Sequence, residues 1–154
     1  MTRPQVLSIQ PLGIPALFFS GEYERAVSSN VTLGVGGSYF GPDEFSYTSM
    51  DVKARFYPGV ALKGFAIGAT AGYTRVSESY DDEVCDPTFE GCEDVSESGA
   101  TVGVQLDYQW LLGKQSKYAV ALGAGMKRIF VNGDEFDDVS AFYPTVRASF
   151  GVAY

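Results

Sequence analysis

Histidine is absent from the 154 residues. Without an imidazole there is no side chain whose ordinary titration falls near neutrality, so Ser-His-Asp and Cys-His hydrolysis and His-ligated metal sites are excluded together. Basic residues are also scarce: 11 Lys and Arg against 19 Asp and Glu leave a net charge of −8, which argues against nucleic acid as a partner. No stretch approaches the roughly 18 to 20 consecutive apolar residues that a membrane helix needs; the longest small or apolar stretch, Ala119 to Met126, is interrupted by glycines. A helical membrane protein is excluded. Met1 to Gln10 has no apolar core of a signal peptide, so the chain reads either as one that is not exported or as a mature form with an added Met.

What is present is glycine and a two-residue rhythm. There are 18 glycines, against a usual share of about 7%, with no collagen period and no Ser/Gly linker, so the excess belongs inside structured segments. Length and composition fit one domain, residues 1–154, with a single core. Apolar residues recur at every second position, the period of β-strands. Eight strands are predicted: Gln5 to Pro11, Pro15 to Ala26, Val31 to Phe40, Tyr47 to Pro58, Gly64 to Glu78, Gly99 to Leu112, Tyr118 to Val131, and Ala141 to Tyr154. The first is the weakest, being short and closed by Pro11 and Pro15. An even number of up-and-down antiparallel strands can close into a barrel.

The connections alternate in kind. Val27 to Asn30, Gly59 to Lys63 and Gly113 to Ser116 are brief and free of acids. Leu12 to Ile14, Gly41 to Ser46, Ser79 to Ser98 and Asn132 to Ser140 form the other set, and its last three members are acidic. All acids except Glu22, Glu24, Asp51 and Asp107 lie in or beside this second set, from Asp43 and Glu44 through Glu78, Asp81, Asp82, Glu83, Asp86, Glu90, Glu93, Asp94 and Glu97 to Asp134, Glu135, Asp137 and Asp138. The opposite rim carries Arg3, Arg25, Lys63, Lys114 and Lys117. An up-and-down barrel would therefore have two chemically distinct ends.

Alternation alone does not say which face points inward; side-chain size does. One parity is bulky and apolar, as in Leu33, Val35, Val52, Ile67, Val104, Leu106, Leu122, Val146 and Val152. The other is mostly tiny, as in Gly34, Gly36, Gly68, Thr70, Gly72, Gly103, Ala121, Gly123 and Gly125. The interior of an eight-stranded barrel is just wide enough for side chains to fill, so the small face belongs inside and the bulky face outside, where only a lipid solvent suits it. Large aromatics gather near the strand ends: Tyr23, Phe56, Tyr108, Trp110, Tyr118, Phe150 and Tyr154 at the short-turn rim, Tyr39, Tyr73 and Phe142 at the loop rim. That is the pattern of two interfacial girdles.

Eight charged residues fall on the small, inward parity: Glu22, Glu24, Asp51, Lys53, Arg55, Asp107, Lys127 and Arg147. Four are acidic and four basic. Because a lone buried charge costs several kcal/mol and a paired one is tolerated, this balance predicts an ion-pair network that plugs the lumen.

The last residues, Phe142-Tyr-Pro-Thr-Val-Arg-Ala-Ser-Phe-Gly-Val-Ala-Tyr154, alternate apolar positions and end on an aromatic. This resembles the terminal-strand signal by which bacterial outer-membrane barrels are recognised for insertion. Together with the eight strands, the chain resembles the small OmpA/OmpX-like barrels over essentially its whole length. The resemblance implies an all-β, eight-stranded antiparallel transmembrane barrel in the bacterial outer membrane, with periplasmic termini, short periplasmic turns and longer extracellular loops. A monomer is expected, with outer-membrane lipid, lipopolysaccharide and the barrel-insertion machinery as partners. The family includes structural anchors, adhesins and lipid-modifying enzymes. Those enzymes use a His that this chain lacks, so no catalytic site and no cofactor are expected. No peptidoglycan-binding domain follows Tyr154, which leaves a cell-wall anchoring role unsupported.

Arg75 and Arg128 break the apolar outward face beyond the loop-side girdle. Snorkelling explains them; pairing with lipopolysaccharide phosphates is the sharper alternative. Cys85 and Cys92 bracket six residues of the longest loop and are expected to form a disulfide in an oxidising compartment, since a metal site would need more Cys or His. The acids around that ring are candidates for Ca²⁺ or Mg²⁺, although no EF-hand spacing is present and a solvated acidic surface is the favoured account of them. The expected function is a non-enzymatic outer-membrane barrel with a structural or surface-interaction role. The alternatives are a narrow ion or small-solute channel and a soluble eight-stranded binding barrel with an apolar pocket.

Overall fold

The computed structural model describes residues 4–11, 18–41, 45–78, 95–131 and 140–154. Every regular element among them is a strand: β1 (Gln5–Ile9), β2 (Phe18–Ala26), β3 (Val31–Phe40), β4 (Phe45–Phe56), β5 (Gly64–Glu78), β6 (Val95–Leu112), β7 (Tyr118–Val131) and β8 (Ser140–Ala153). Each pairs antiparallel with its neighbours in sequence, and β1 closes onto β8, so the sheet has no free edge. The closing seam is short. Val6 to Ile9 face Ala153 to Phe150, and Gln5 and Tyr154 exchange backbone hydrogen bonds of 3.2 and 3.0 Å.

Several boundaries differ from expectation: β1 ends at Ile9 instead of Pro11, β4 runs from Phe45 to Phe56 instead of Tyr47 to Pro58, β6 begins at Val95 instead of Gly99, and β8 runs from Ser140 to Ala153 instead of Ala141 to Tyr154. Strand β4 stops at Phe56 because Pro58 has no N–H to continue the ladder. Strand β6 begins at Val95, four residues before Gly99, because Glu78 pairs with Val95 and Ser77 with Ser96. Backbone hydrogen bonding does not need apolar side chains, so the ladder runs on where the alternation has ended.

The faces divide by size. Leu33, Val104 and Leu122 are 51%, 64% and 52% exposed on the exterior, which contradicts a soluble barrel with an apolar interior. The expected girdle aromatics also face outward; Tyr108 and Trp110 lie 4.6 Å apart between ring centroids, and Tyr118 stacks on Phe150 at 6.2 Å. Inside, a small apolar cluster of Val6, Leu62, Ala119 and Ala153 closes the short-turn end. Leu62 reaches it by a positive φ of 67°, which turns the segment between β4 and β5 inward across the mouth instead of out into solvent. Tyr57, Ala61 and Leu62 are buried there, and Asn30 ties the segment down by donating to the carbonyls of Tyr57 (3.0 Å) and Gly59 (2.7 Å).

Candidate functional site

The inward parity of five strands delivers the charges: Glu22 and Glu24 from β2, Asp51, Lys53 and Arg55 from β4, Asp107 from β6, Lys127 from β7 and Arg147 from β8. Glycines opposite them make the room. Glu22 and Asp51 both face Gly36, Lys53 and Glu24 both face Gly34, and Asp107 and Arg147 both face Gly123. A Cβ added at Gly103 would lie 2.7 Å from Cγ of Lys127, and one at Gly123 would overlap the Asp107 carboxylate. The glycine excess is the space the ions occupy.

Arg55 is the hub. Its Nη1 lies 2.6 Å from Glu22 Oε1 and 2.7 Å from Glu24 Oε2, and its Nε donates to Asp107 Oδ2 at 2.9 Å. Arg147 approaches from β8, with Nη2 2.9 Å from Glu22 Oε1 and Nη1 3.5 Å from Asp107 Oδ1, and Lys53 Nζ sits 2.5 Å from Glu22 Oε2. Three carboxylates thus meet three cations, so the layer is neutral as well as buried. Nearer the loop rim a separate pair forms, Lys127 Nζ donating to both oxygens of Asp51 at 2.7 Å.

Polar neighbours complete the layer, and sequence reasoning had not singled them out. Thr32 Oγ1 and the Tyr57 hydroxyl donate to Glu24 Oε1 at 2.5 and 3.0 Å; Gln105 Nε2 donates to Asp107 Oδ2 at 2.5 Å; Gln109 Nε2 donates to the Leu62 carbonyl at 2.9 Å. Burial, with the Glu24 carboxylate alongside, pushes the Tyr57 phenol well above its ordinary range, so it stays a donor. Their signal was the same parity: Thr32 lies on the inward series of β3, Gln105 and Gln109 on that of Asp107, and Tyr57 extends the inward series of β4.

On the loop side of the ion layer the lumen widens into a cavity of about 130 Å³, with Ser20, Ser38, Ser49, Tyr47 and Tyr143 in its wall and Lys53, Asp51, Lys127 and Arg147 toward its floor. Ser38 donates to Ser20 at 3.0 Å. Among the described residues no group of acids, Cys or His is arranged to hold a metal ion.

No protein-family model and no curated protein matches the chain. A solved barrel does. The crystal structure of the N-terminal β-barrel domain of Pseudomonas aeruginosa OprF is similar over 100% of both chains, with a TM-score of 0.56 and 12% sequence identity. At that identity the likeness is one of fold, and it agrees with the closed eight-stranded OmpA/OmpX-like barrel that the strand pattern resembles.

The remaining candidate residues lie apart from this lumen. Arg75 and Arg128 stand on the exterior at opposite edges of β6, facing Ser98 and Val102. The Arg128 guanidinium lies over two rings, 4.9 Å from the Phe130 centroid and 5.3 Å from that of Phe142. Cys85 and Cys92 lie outside the described residues, as do most of the loop acids considered for Ca²⁺ or Mg²⁺.

Proposed function

We propose that this chain is a non-enzymatic barrel of the bacterial outer membrane whose lumen is plugged by ion pairs and whose acidic loops face the cell exterior, in a structural or surface-interaction role. The observation that carries the reading is Arg55, held across the lumen between carboxylates of β2 and β6 behind a wall whose outer side is apolar. An interior that is ionic with an exterior that is greasy has its polarity inverted relative to a water-soluble barrel, and acyl chains are the solvent that suits it. Strands β3 to β8, at 10 to 18 residues, are long enough for tilted strands to cross a bilayer.

The C-terminal strand is the segment proposed to engage the insertion machinery, and the termini are proposed to be periplasmic. Arg75 and Arg128 are proposed to meet lipopolysaccharide phosphates; equal lipopolysaccharide affinity after replacing both by Ala would remove that part. Cys85 and Cys92 are proposed to be disulfide-linked, and two free thiols in the denatured, unreduced protein would remove that part. A channel is the second reading, favoured by the loop-side cavity of about 130 Å³.

Refolding from urea, followed by gel migration of unheated against heated samples, tests the membrane assignment. A fast-migrating folded form is expected only with detergent or lipid. A folded, monodisperse protein in buffer alone would overturn it.

A further inference from the structure

The inward fold of Leu62 has a consequence on the outer wall. The β5–β6 ladder begins only at Gly64 opposite Gln109, so Trp110 and Leu111 run past the end of β5. The segment that would have covered them has turned into the lumen, where Gln109 holds the Leu62 carbonyl. What remains outside is a notch of about 310 Å³ lined by Val60, Lys63, Gly64, Tyr108, Trp110 and Leu111, together with Gln109. Its wall is the Tyr108–Trp110 ring pair. Lys63, exposed, is the only charged group among the described residues that line it.

Charge at this end of the barrel runs against the chain as a whole. The molecule carries a net −8, yet Arg25, Lys63, Lys114 and Lys117 are all exposed at the short-turn rim, and the acids nearest to it among the described residues, Glu24 and Asp107, are buried in the lumen. The Tyr108 and Trp110 rings line the notch itself, and farther along the wall from the rim lie the exposed apolar side chains of Phe65, Ile67 and Leu106. A headgroup phosphate, a glycerol backbone and an acyl chain are arranged in that same order along a lipid.

We propose that this notch binds one anionic glycerophospholipid of the leaflet facing the short turns, its phosphate on Lys63, its glycerol region against Tyr108 and Trp110, and its chain along the β5–β6 wall. The proposal rests on the membrane reading. Its specificity comes from Lys63: the rings would accept any lipid, whereas an ammonium at a rim where the described residues expose cations and no acid favours a headgroup of net negative charge.

Trp110 is the only tryptophan in the chain, so it reports on the notch directly. The barrel is refolded into phosphatidylcholine vesicles containing about 10 mole per cent phosphatidylglycerol with brominated chains, and quenching of Trp110 is compared with that from the same fraction of brominated phosphatidylcholine. About a fivefold local excess of the anionic lipid is expected, the amount one basic residue contributes at an anionic surface. The excess should vanish in Lys63→Gln, persist in Lys63→Arg, and fall as salt is raised from about 0.1 to about 1 M. The salt series needs no variant. Quenching equal for the two brominated lipids would overturn the proposal, as would an excess unchanged in Lys63→Gln, which would assign it to the rim at large. Absence of quenching by vesicles of wholly brominated phosphatidylcholine would instead overturn the membrane reading itself.

Discussion

The two halves of the lumen hold the same kinds of residue under different conditions. Toward the short turns, the side chains of Arg55, Glu24 and Asp107 are 1%, 2% and 1% exposed, with the Leu62 cluster sealing the end beneath them. Toward the loops, Lys127 and Asp51 are 14% and 8% exposed beside the cavity. An ion pair that water can reach loses little when broken, because solvent takes the place of the missing partner. One sealed from water leaves an uncompensated charge behind. The halves should therefore differ in energy more than in chemistry.

The largest effect is expected at the hub. Arg55→Met strands Glu24 without its cation and removes one partner each from Glu22 and Asp107, and a loss of about 4 kcal/mol is expected from the urea midpoint of the refolded barrel. Gly123→Ala comes next: the new methyl meets the Asp107 carboxylate and lies 2.9 Å from the Leu106 carbonyl, so about 2 kcal/mol of overpacking is expected by the same measurement. Lys127→Gln, in the wetter half, should cost about 1 kcal/mol or less. Gly59→Ala is the control. A Cβ there meets nothing within 4 Å, and its midpoint should stay within about 0.5 kcal/mol of the parent. Equal losses for Arg55→Met and Lys127→Gln would erase the distinction between the halves.

The barrel was legible because size and parity agree across seven of its strands: tiny residues and charges alternate with bulky apolar ones, so inside and outside could be told apart without knowing any contact. Each of the eight inward charges was legible for the same reason. Their pairing was not. Parity says that Asp51 and Lys127 both point inward, but their meeting across the lumen from β4 and β7 depends on the stagger between strands, which one strand's sequence does not carry. The β4–β5 connection was hidden for a different reason. Its composition reads as an ordinary turn, and only the positive φ of Leu62, with the Asn30 and Gln109 hydrogen bonds that hold the segment, makes it an inward cap. The notch around Lys63 follows from that cap and was equally invisible.

Single-channel recording of the wild-type barrel in a planar bilayer tests the plugged lumen most directly. With Arg55 bridging β2 and β6 and the Leu62 cluster beneath it, the membrane should show no steady open level after insertion is verified by gel migration. A sustained open conductance from the inserted protein would mean that ions pass this layer, and would contradict the account.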